Sequence, residues 1–215
     1  MPDQKPEFKF VIPERRDVSE IGNLLLQLGA IAGRLALEPR TQVDHKDGRA
    51  ENVAEHTHML SRLAPVVAIV FYPDLSPGLV AMLAEIHDDI EAYVGDIPTM
   101  HLDENIVKTK EMLEKVGLEK LLADFSHIPA YTNLVIEYAE QKTPESRFVR
   151  VLDKLMPLVV HFNQGGETLR DNWTPASMLQ NNEQRAQSLK IEYPEFADLI
   201  DVRTELTELA ARELF

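Results

Sequence analysis

The amino-acid sequence predicts an all-α fold in a single domain. In successive segments, apolar residues recur at three- and four-residue intervals, the spacing that places side chains on one face of a helix. No segment shows the alternation of apolar and polar residues that is typical of a half-buried strand. The length of 215 residues suits one sizeable hydrophobic core better than two. We therefore expect a helical bundle over residues 18–215.

The chain begins with a polar arm, and the first helix follows it. Residues 1–17 are polar and punctuated by proline, so we expect them to form the arm. Ser19 is a suitable N-cap for a helix over residues 18–36. The apolar residues of this helix share helical spacing, which predicts a core-facing stripe of Ile21, Leu24, Leu25, Leu28, Ile31, Ala32 and Leu35. Residues 37–50 mix proline, glycine and charged residues without a period, which predicts a loop.

The remaining segments are predicted to be helical. A second helix spans about residues 51–71, and a third is capped by Asp74 or Ser76 and ends at Gly95. Further helices are expected at 103–123, at 129–142, from Thr143-Pro144 through RFVRVLDKLMPLVVHF, at about 174–190 and at 194–214. Gly165 and Gly166 interrupt this series of helices, and we expect a C-terminal helical extension from about residue 166.

The charge balance and the composition limit the possible partners and metal ligands. Lys and Arg total 22 against 36 Asp and Glu, which gives a net charge of −14. Such an acidic chain lacks the positive field that general binding to nucleic acids needs. A small anionic substrate would require a local positive centre, either a bound metal ion or a few placed arginines. Because the chain has no cysteine, any metal must be held by imidazole and carboxylate groups.

The sequence also predicts where the protein resides. The N-terminal segment carries charges throughout and lacks the apolar stretch of a signal peptide. Nowhere does a run of about 18 apolar residues occur, as a membrane-spanning helix would need. We expect a cytoplasmic protein that does not contact membranes.

Three predicted helices carry polar side chains within their apolar stripes. His56 shares a stripe with leucine and valine residues of the second helix, and His87 shares one in the third. Glu91 follows His87 by four residues, which predicts that both lie on one helix face. Asp153 lies within the stripe of the helix that begins at Thr143. We expect these polar groups to meet inside the protein.

Buried polar groups of this kind require compensation, because an unpaired buried carboxylate is costly. For any one such residue, a structural role is the commoner case. The combination of two histidines and two aspartates, however, favours a metal site. The candidate ligands of one divalent ion per chain are His56, His87, Asp88 and Asp153. Two neutral imidazoles and two carboxylates balance the ion and leave positions for water and a phosphate oxygen. These donors suit Mn, Co, Fe, Mg or Zn, and the sequence does not decide between them.

The pattern H…HD…D on three separate helices resembles that of the HD-domain metal-dependent phosphohydrolases. The longer segments ENVAEH at 51–56, HDDIEAYVGDIPT at 87–99 and TPESRFVRVLDKL at 143–155 resemble the branch that contains bacterial and eukaryotic 5′-deoxynucleotidases. The resemblance covers roughly residues 20 to 165. It implies an HD-type helical bundle with a single metal ion.

The resemblance also implies roles for individual residues. In that branch, the glutamate three residues after the HD dyad is the catalytic acid–base group, which corresponds to Glu91. The aspartate of the GDIPT loop, which corresponds to Asp96, would contact the substrate sugar. An arginine ahead of the first metal ligand would bind the substrate phosphate. This role falls on Arg34, with Arg40 and Arg49 as alternatives because the segment before the first histidine is long.

The activity implied by the resemblance is removal of the 5′-phosphate from (deoxy)nucleoside monophosphates, which makes the partner a small-molecule nucleotide. Relatives in this branch are dimers, so we expect a homodimer, and the C-terminal ELTELAARELF helix is a candidate contact. Two other functions stay open. One is hydrolysis of nucleoside triphosphates or other nucleotide polyphosphates, and the other is a noncatalytic HD module that binds a nucleotide or a partner protein.

Overall fold

The computed structural model describes residues 10–45, 47–97 and 104–215, with the backbone alone at 41–44 and 104–107. Within these ranges the chain forms α-helices and one short hairpin. The elements are α1 (Glu20–Leu35), β1 (Pro39–Asp44), β2 (Ala50–Asn52), α2 (Val53–Phe71), α3 (Pro77–Ile86), α4 (Glu91–Val94), α5 (Glu104–Asp124), α6 (Pro129–Glu140), α7 (Pro144–Asp153), α8 (Met156–Gln164), α9 (Glu167–Asn172), α10 (Pro175–Glu192) and α11 (Ala197–Glu213). The predicted all-α class is confirmed, whereas the proposed domain boundaries stay a prediction.

The hairpin formed by β1 and β2 corrects the loop that was predicted at 37–50. The strands are antiparallel, and Pro39 lies opposite Asn52 in the register. The turn is closed by hydrogen bonds from the His45 amide to the Arg49 carbonyl (2.6 Å) and from the Gly48 amide to the His45 carbonyl (2.8 Å). Strand β2 has only three residues, too few to show an alternating pattern, and β1 packs on α8 and α9. Tertiary contacts therefore support a hairpin that periodicity could not reveal.

Two predicted helices are broken in the structure, and both breaks lie at candidate metal ligands. The third predicted helix ends at Ile86, and a turn over 87–90 precedes α4. In this turn, the Asp89 amide donates to the Ile86 carbonyl (3.1 Å) and the Glu91 amide to the Asp88 carbonyl (2.8 Å). These tight three-residue hydrogen bonds replace the regular helical ladder. The HD dyad therefore lies in a turn and not on a continuous helix face.

The second break separates α7 from α8 and has a cause that is visible in the sequence. Pro157 has no amide hydrogen, and in a continuous helix its ring would clash with the carbonyl of Asp153, four residues earlier. The helix accordingly ends at Asp153, and α8 begins at Met156. Asp153 is thus the last residue of α7, with its side chain almost fully buried.

The predicted helix caps are largely confirmed. Ser19 accepts a hydrogen bond from the Gly22 amide (3.2 Å), and Ser76 accepts one from the Leu79 amide (3.4 Å). Thr143 forms a reciprocal capping box at the start of α7. These caps fix where α1, α3 and α7 begin, and α3 and α7 lead directly into the candidate site.

The core contains two large apolar clusters that flank the candidate site. The first joins α2, α3, α7, α8 and α11, and its fully buried members include Leu60, Leu83, Phe148, Met156 and Ile200. The second joins α1, α2, α5 and α6 around Ile31, Val53, Leu121, Phe125 and Val135. Because α2 contributes to both clusters, its inner face is held rigidly between them.

Helix α1 buries only part of its predicted apolar stripe, together with two polar residues. Ile21 and Leu25 are exposed, at 72% and 67%, whereas Asn23 and Gln27 are buried with Ile31 and Leu35. The amide side chain of Asn23 accepts from the Arg16 amide (2.8 Å) and donates to the Arg16 carbonyl (3.2 Å). Hydrogen bonds to the preceding arm therefore turn a polar face of α1 inward.

In the ranges 10–45, 47–97 and 104–215, no helix combines sufficient length with sufficient apolar character to cross a bilayer.

Candidate metal centre

The four candidate ligands come from three separate parts of the fold. His56 lies on the inner face of α2, His87 and Asp88 lie in the turn after α3, and Asp153 ends α7. Both histidines and Asp153 are buried, as helical phase predicted, and Asp88 is half-buried. Asn52 and Glu55 form a reciprocal capping box that fixes the first turn of α2 just before His56.

The ligand atoms form a compact group. The Nε2 atom of His56 lies 3.0 Å from Asp153 Oδ1, and the Nε2 atom of His87 lies 2.9 Å from Asp88 Oδ2. The crossed distances, His56 Nε2 to Asp88 Oδ2 and His87 Nε2 to Asp153 Oδ1, are both 3.9 Å. Two imidazole nitrogens and two carboxylate oxygens therefore face a common centre. The histidines and Asp88 also meet the spacing expected of a metal cluster.

The orientation of His87 fits a metal ligand. Its Nδ1–H group donates to the Ala84 carbonyl oxygen at 2.8 Å, which leaves a lone pair on Nε2. That Nε2 atom is fully buried and forms no well-oriented hydrogen bond within the described chain. A buried nitrogen without a hydrogen bond is costly unless something else occupies its lone pair. A divalent cation among these atoms would do so.

The protonation states of three of the ligands suit a divalent ion, whereas the negative charges of Asp88 and Asp153 outweigh burial and raise the pKa of His87. A divalent cation bound beside these carboxylates would offset that effect and favour the neutral imidazole. Burial lowers the pKa of His56 and so favours its neutral form. Burial opposes ionisation of Asp88, but His87 and His56 hold the pKa of that carboxyl below its usual range. Burial likewise opposes ionisation of Asp153, yet Lys154 and His56 keep its pKa low. Ionised carboxylates and a neutral imidazole are the forms that bind metal.

Glu91 lies at the first position of α4, next to the turn that carries the HD dyad. Its side chain is only 6% exposed, and its Oε2 atom has no hydrogen-bond partner in the described ranges. Burial, followed by the negative charges of Asp88 and Asp96, raises the pKa of Glu91 well above its ordinary value. A carboxyl group with a raised pKa beside a metal site can exchange protons near neutral pH.

The three arginines considered for phosphate binding lie in different surroundings. Arg40, at the start of the hairpin, lines the cavity around the metal centre, with its Nη1 atom 3.5 Å from Asp88 Oδ2. Arg34 pairs with Glu38 and does not line this cavity. Arg49 is exposed and pairs with Glu55 (2.8 Å). Of the three, only Arg40 faces the candidate ligands.

Asp96 lies in the GDIPT loop, of which the structure describes the first three residues. Its side chain is half-buried and lines the same cavity, and burial raises its pKa despite nearby Arg40. The Asp96 amide donates to Glu38 Oε1 at 3.3 Å. Gly95 has φ of 79°, and a Cβ atom there would lie 2.9 Å from Glu38 Oε1. Glycine at 95 thus allows the loop to approach Glu38 closely.

One cavity of 560 Å³ extends from the metal centre toward α10 and α11. Beyond the residues predicted from sequence, its lining includes Lys110, Lys154, Arg185 and Arg203. No motif marked Arg185 and Arg203, because α10 and α11 are polar helices that reach the cavity only through tertiary packing. The Arg203 Nε atom donates to the backbone carbonyl of Lys154 at 3.3 Å, whereas the Lys154 Nζ atom pairs with Asp153 Oδ2 at 2.8 Å.

The family comparison matches residues 32–196 to the HD domain. Two 5′-deoxynucleotidases are similar to the chain. The protein from Cronobacter sakazakii is 32% identical over 81 residues, 35% of this chain and 41% of that relative. The protein from Danio rerio is 28% identical over 137 residues, 63% of this chain and 66% of that relative. The alignments thus span from two fifths to just under two thirds of these relatives.

A solved structure is also similar. The crystal structure of a predicted metal-dependent phosphohydrolase from Magnetospirillum magnetotacticum matches with a TM-score of 0.63 and 26% sequence identity. The match covers 85% of this chain and 90% of that protein. The HD-domain match alone includes more than half of the chain and contains all four candidate ligands. The protein belongs to the HD-domain family.

Proposed function

We propose that this protein is a metal-dependent phosphohydrolase that removes the 5′-phosphate from (deoxy)nucleoside monophosphates. One observation carries the proposal: three of the four candidate ligands (His87, Asp88 and Asp153), the buried carboxyl of Glu91 and the guanidinium of Arg40 line a single cavity, and His56 contacts Asp153 beside it. The similarity of the chain to 5′-deoxynucleotidases supports the choice of substrate. The substrate is thus a small anionic molecule and not a nucleic acid.

The ligands of the metal ion would be His56, His87, Asp88 and Asp153. When bound, the ion supplies positive charge that polarises a phosphoryl oxygen and lowers the pKa of a water molecule. The hydrogen bond from His87 to the Ala84 carbonyl orients the imidazole ring. His56 is held through its contact with Asp153 (3.0 Å). The protein thus arranges the site before substrate arrives.

Glu91 would exchange a proton at its carboxyl group during the reaction. Burial raises its pKa, so the group holds a proton at the Oε2 atom to higher pH than an ordinary glutamate does. Asp96, on the loop beside it, would contact the substrate sugar. After burial, the negative charges of Asp88 and Asp96 raise the pKa of Glu91 further.

For the phosphate-binding arginine, we favour Arg40 over Arg34 and Arg49, since Arg40 lines the cavity. A guanidinium can bind two phosphate oxygens at once. In the free protein, Arg40 faces Glu51 and Asp88, each 3.5 Å from a guanidinium nitrogen. These are long contacts, so an incoming phosphate can compete for Arg40 at modest cost.

Hydrolysis of a nucleotide polyphosphate is the second candidate, and the additional basic residues along the cavity favour it. A product assay separates the two. Purified protein is incubated with Mn²⁺, Co²⁺ or Mg²⁺ and a panel of nucleoside mono-, di- and triphosphates. We expect inorganic phosphate from deoxynucleoside monophosphates. Pyrophosphate or tripolyphosphate would identify the second candidate, and no release from any panel member would contradict both.

A homodimer and a cytoplasmic location complete the proposal. The C-terminal helix, which is the sequence-based candidate contact, exposes Val202, and Phe215 beyond it is also exposed. Apolar side chains are more exposed on α1 at Ile21 and Leu25. Sedimentation velocity of the purified protein would give the oligomeric state, and a monomer at all concentrations would contradict the dimer.

A further inference from the structure

Part of the cavity wall is largely apolar, and the proposed phosphatase chemistry does not use it. Helix α8 contributes Leu158 and His161 to this lining, α9 contributes Leu169, α10 contributes Met178, and Trp173 lies between α9 and α10. We call these five residues the tryptophan wall. The two leucines and the methionine are buried, and the tryptophan is half-buried. An apolar wall with few polar groups is typical of sites that bind small organic molecules.

The tryptophan wall is connected to the metal centre through the chain and through packing. Helix α8 begins three residues after Asp153, and at about 1.5 Å of rise per residue His161 lies on the order of 10 Å farther along the chain. Strand β1, which carries Arg40, packs on both α8 and α9. The metal end, Arg40 and the wall all line the same cavity. A molecule whose phosphate lies between the metal centre and Arg40 can therefore reach the wall with its other end.

The backbone on both sides of Trp173 is held by hydrogen bonds. The Trp173 amide donates to the Leu169 carbonyl at 2.9 Å. The next residue, Thr174, forms a reciprocal capping box with Ser177 at the start of α10. Trp173 also packs against the apolar cluster that contains Leu169 and Met178. A supported aromatic ring at a cavity wall is a suitable surface on which a planar aromatic group can stack.

His161 adds a polar group to this wall, and its state suits an uncharged ligand. The residue is 7% exposed, and its Nδ1 atom has no hydrogen-bond partner among the residues that the structure describes. Its ring thus has hydrogen-bonding capacity that this part of the chain does not use. Burial lowers the pKa of His161 to about 4, so near pH 7 the neutral ring offers one donor and one acceptor. The edges of nucleobases present the same two kinds of group.

The two arginines near the wall have partners within the protein. Arg203 donates to Asn182 Oδ1 and to the Lys154 carbonyl, and the Nε atom of Arg185 donates to Asn181 Oδ1 at 3.2 Å. No anion is therefore required to hold these side chains in place. The contacts that the tryptophan wall itself offers to a ligand are apolar or neutral, which suits an uncharged group better than an anion.

We propose that the tryptophan wall binds the nucleobase of the substrate, with the base stacked on Trp173 and its edge hydrogen-bonded to His161. This inference rests on the proposed function, in which the 5′-phosphate lies between the metal centre and Arg40. It assigns an uncharged aromatic base to the other end of the substrate. A sugar phosphate that lacks a base would leave the wall uncovered, so the protein should bind it more weakly than the matching nucleotide.

The fluorescence of Trp173 tests the proposal in the unaltered protein, because the chain has a single tryptophan. Metal-loaded protein is titrated with a deoxynucleoside 5′-methylenephosphonate, in which carbon replaces the ester oxygen and prevents hydrolysis. A second titration uses the same phosphonate of deoxyribose without a base, and equilibrium dialysis measures the occupancy of both ligands. We expect only the ligand with a base to quench the fluorescence. Saturation without quenching, or equal quenching by both ligands, would overturn the proposal.

Substitution of Trp173 tests the stacking contact. Trp173→Ala should weaken binding of the nucleoside phosphonate by about tenfold, the usual effect of losing one aromatic stacking partner of a base. Its affinity for the deoxyribose phosphonate should stay the same, whereas Trp173→Phe should retain most of the affinity for both ligands. Leu179→Ala, at an exposed position on α10, is the control and should bind both ligands like wild type. No loss in Trp173→Ala, or an equal loss for both ligands, would overturn the stacking role.

A variant of His161 tests the wall without altering the tryptophan. His161→Leu keeps an apolar side chain at the wall but removes the donor and the acceptor. We expect it to weaken binding of the nucleoside phosphonate by roughly three- to tenfold, the usual effect of one hydrogen bond, and to leave the deoxyribose phosphonate unaffected. A folded His161→Leu protein with wild-type affinity for the nucleoside phosphonate would overturn the contact between His161 and the base.

Turnover separates failure of this inference from failure of the proposed function. We expect kcat/KM for a deoxynucleoside 5′-monophosphate to exceed that for deoxyribose 5-phosphate by about tenfold or more. Equal values for the two substrates would overturn the base site and leave the phosphatase activity in place. Base-dependent quenching without phosphate release from any nucleotide would contradict the proposed function and leave the base site in place.

Discussion

The two ends of the cavity differ in how their charges are balanced. At the metal end, carboxylates and histidines are crowded together, with Asp153 Oδ1 3.0 Å from His56 Nε2. At the other end, lined by α10 and α11, Arg185 and Arg203 are close enough for one to lower the pKa of the other. The carboxylates of the metal end also contact two cations, Arg40 and Lys154. Charges of opposite sign thus meet at the metal end, whereas charges of like sign lie near each other at the other end.

The largest effect is expected when the metal end loses a ligand. Asp153→Asn removes one negative charge from the candidate ligand set, so the ion should dissociate. Metal catalysis contributes several kcal/mol, so we expect phosphate release to fall by about a thousandfold or more. Metal analysis and initial rates check this result. Asp171→Asn, at an exposed position on α9, is the matched control and should leave both unchanged.

The next effect separates acid–base chemistry from metal binding. Glu91→Gln keeps the size of the side chain but cannot exchange the carboxyl proton. We expect metal content to stay the same and kcat to fall about a hundredfold or more. Because burial raises the pKa of Glu91, the wild-type pH–rate profile should contain a limb above the ordinary glutamate range that the variant lacks. Glu85→Gln, exposed on α3, serves as control, and a variant profile identical to wild type would exclude Glu91 from proton transfer.

A smaller effect distinguishes the arginine at the metal end from the others. Arg40→Met should raise KM for a nucleoside monophosphate by roughly ten- to a hundredfold, since it removes a charged donor to phosphate. Arg49→Met alters an exposed pair with Glu55 and should change KM little. Steady-state kinetics on Arg34→Met completes the comparison. A larger KM effect at Arg34 than at Arg40 would assign the phosphate contact to α1 instead of the hairpin.

The smallest effect concerns the stability of the fold around His161, which lines the cavity on α8. The folded pKa of His161 is about 4, below its ordinary value of 6.5, so the unfolded chain binds the extra proton first as pH falls. His161 therefore stabilises the fold fully above pH 6.5, and this contribution is lost progressively down to about pH 4. Between pH 7 and 5 the loss should reach about 2 kcal/mol.

Urea denaturation at the two pH values measures this contribution. The change in unfolding free energy between pH 7 and 5 should be smaller in His161→Gln than in wild type. His58→Gln, at an exposed position on α2, should retain the wild-type change. The same pH dependence in all three proteins would show that His161 is not buried in its neutral form.

Periodicity located the inward-facing residues of the metal end well. Helical phase placed His56, His87 and Asp153 inside, and all three are buried. The sequence also contained the reason for the break after Asp153, since Pro157 destabilises a continuous helix there. Such features are local, so a single segment of sequence is enough to predict them.

Features that depend on tertiary packing could not be predicted. The polar face of α1 is buried because Asn23 bonds the backbone of the preceding arm, a contact that no period shows. The hairpin that presents Arg40 rests on α8 and α9, far away in sequence. Arg185 and Arg203 lie on polar helices and meet only when α10 packs against α11. The proximity of these two arginines is therefore visible only in three dimensions.

The central claim is that one divalent ion at these four ligands is required for phosphate release. The direct measurement strips the protein with a chelator, restores Mn²⁺ or Co²⁺ in steps, and follows bound metal and phosphate release together. We predict that activity rises in proportion to bound metal and saturates at one ion per chain. Full activity in the stripped protein, or saturation only at two ions per chain, would contradict the claim.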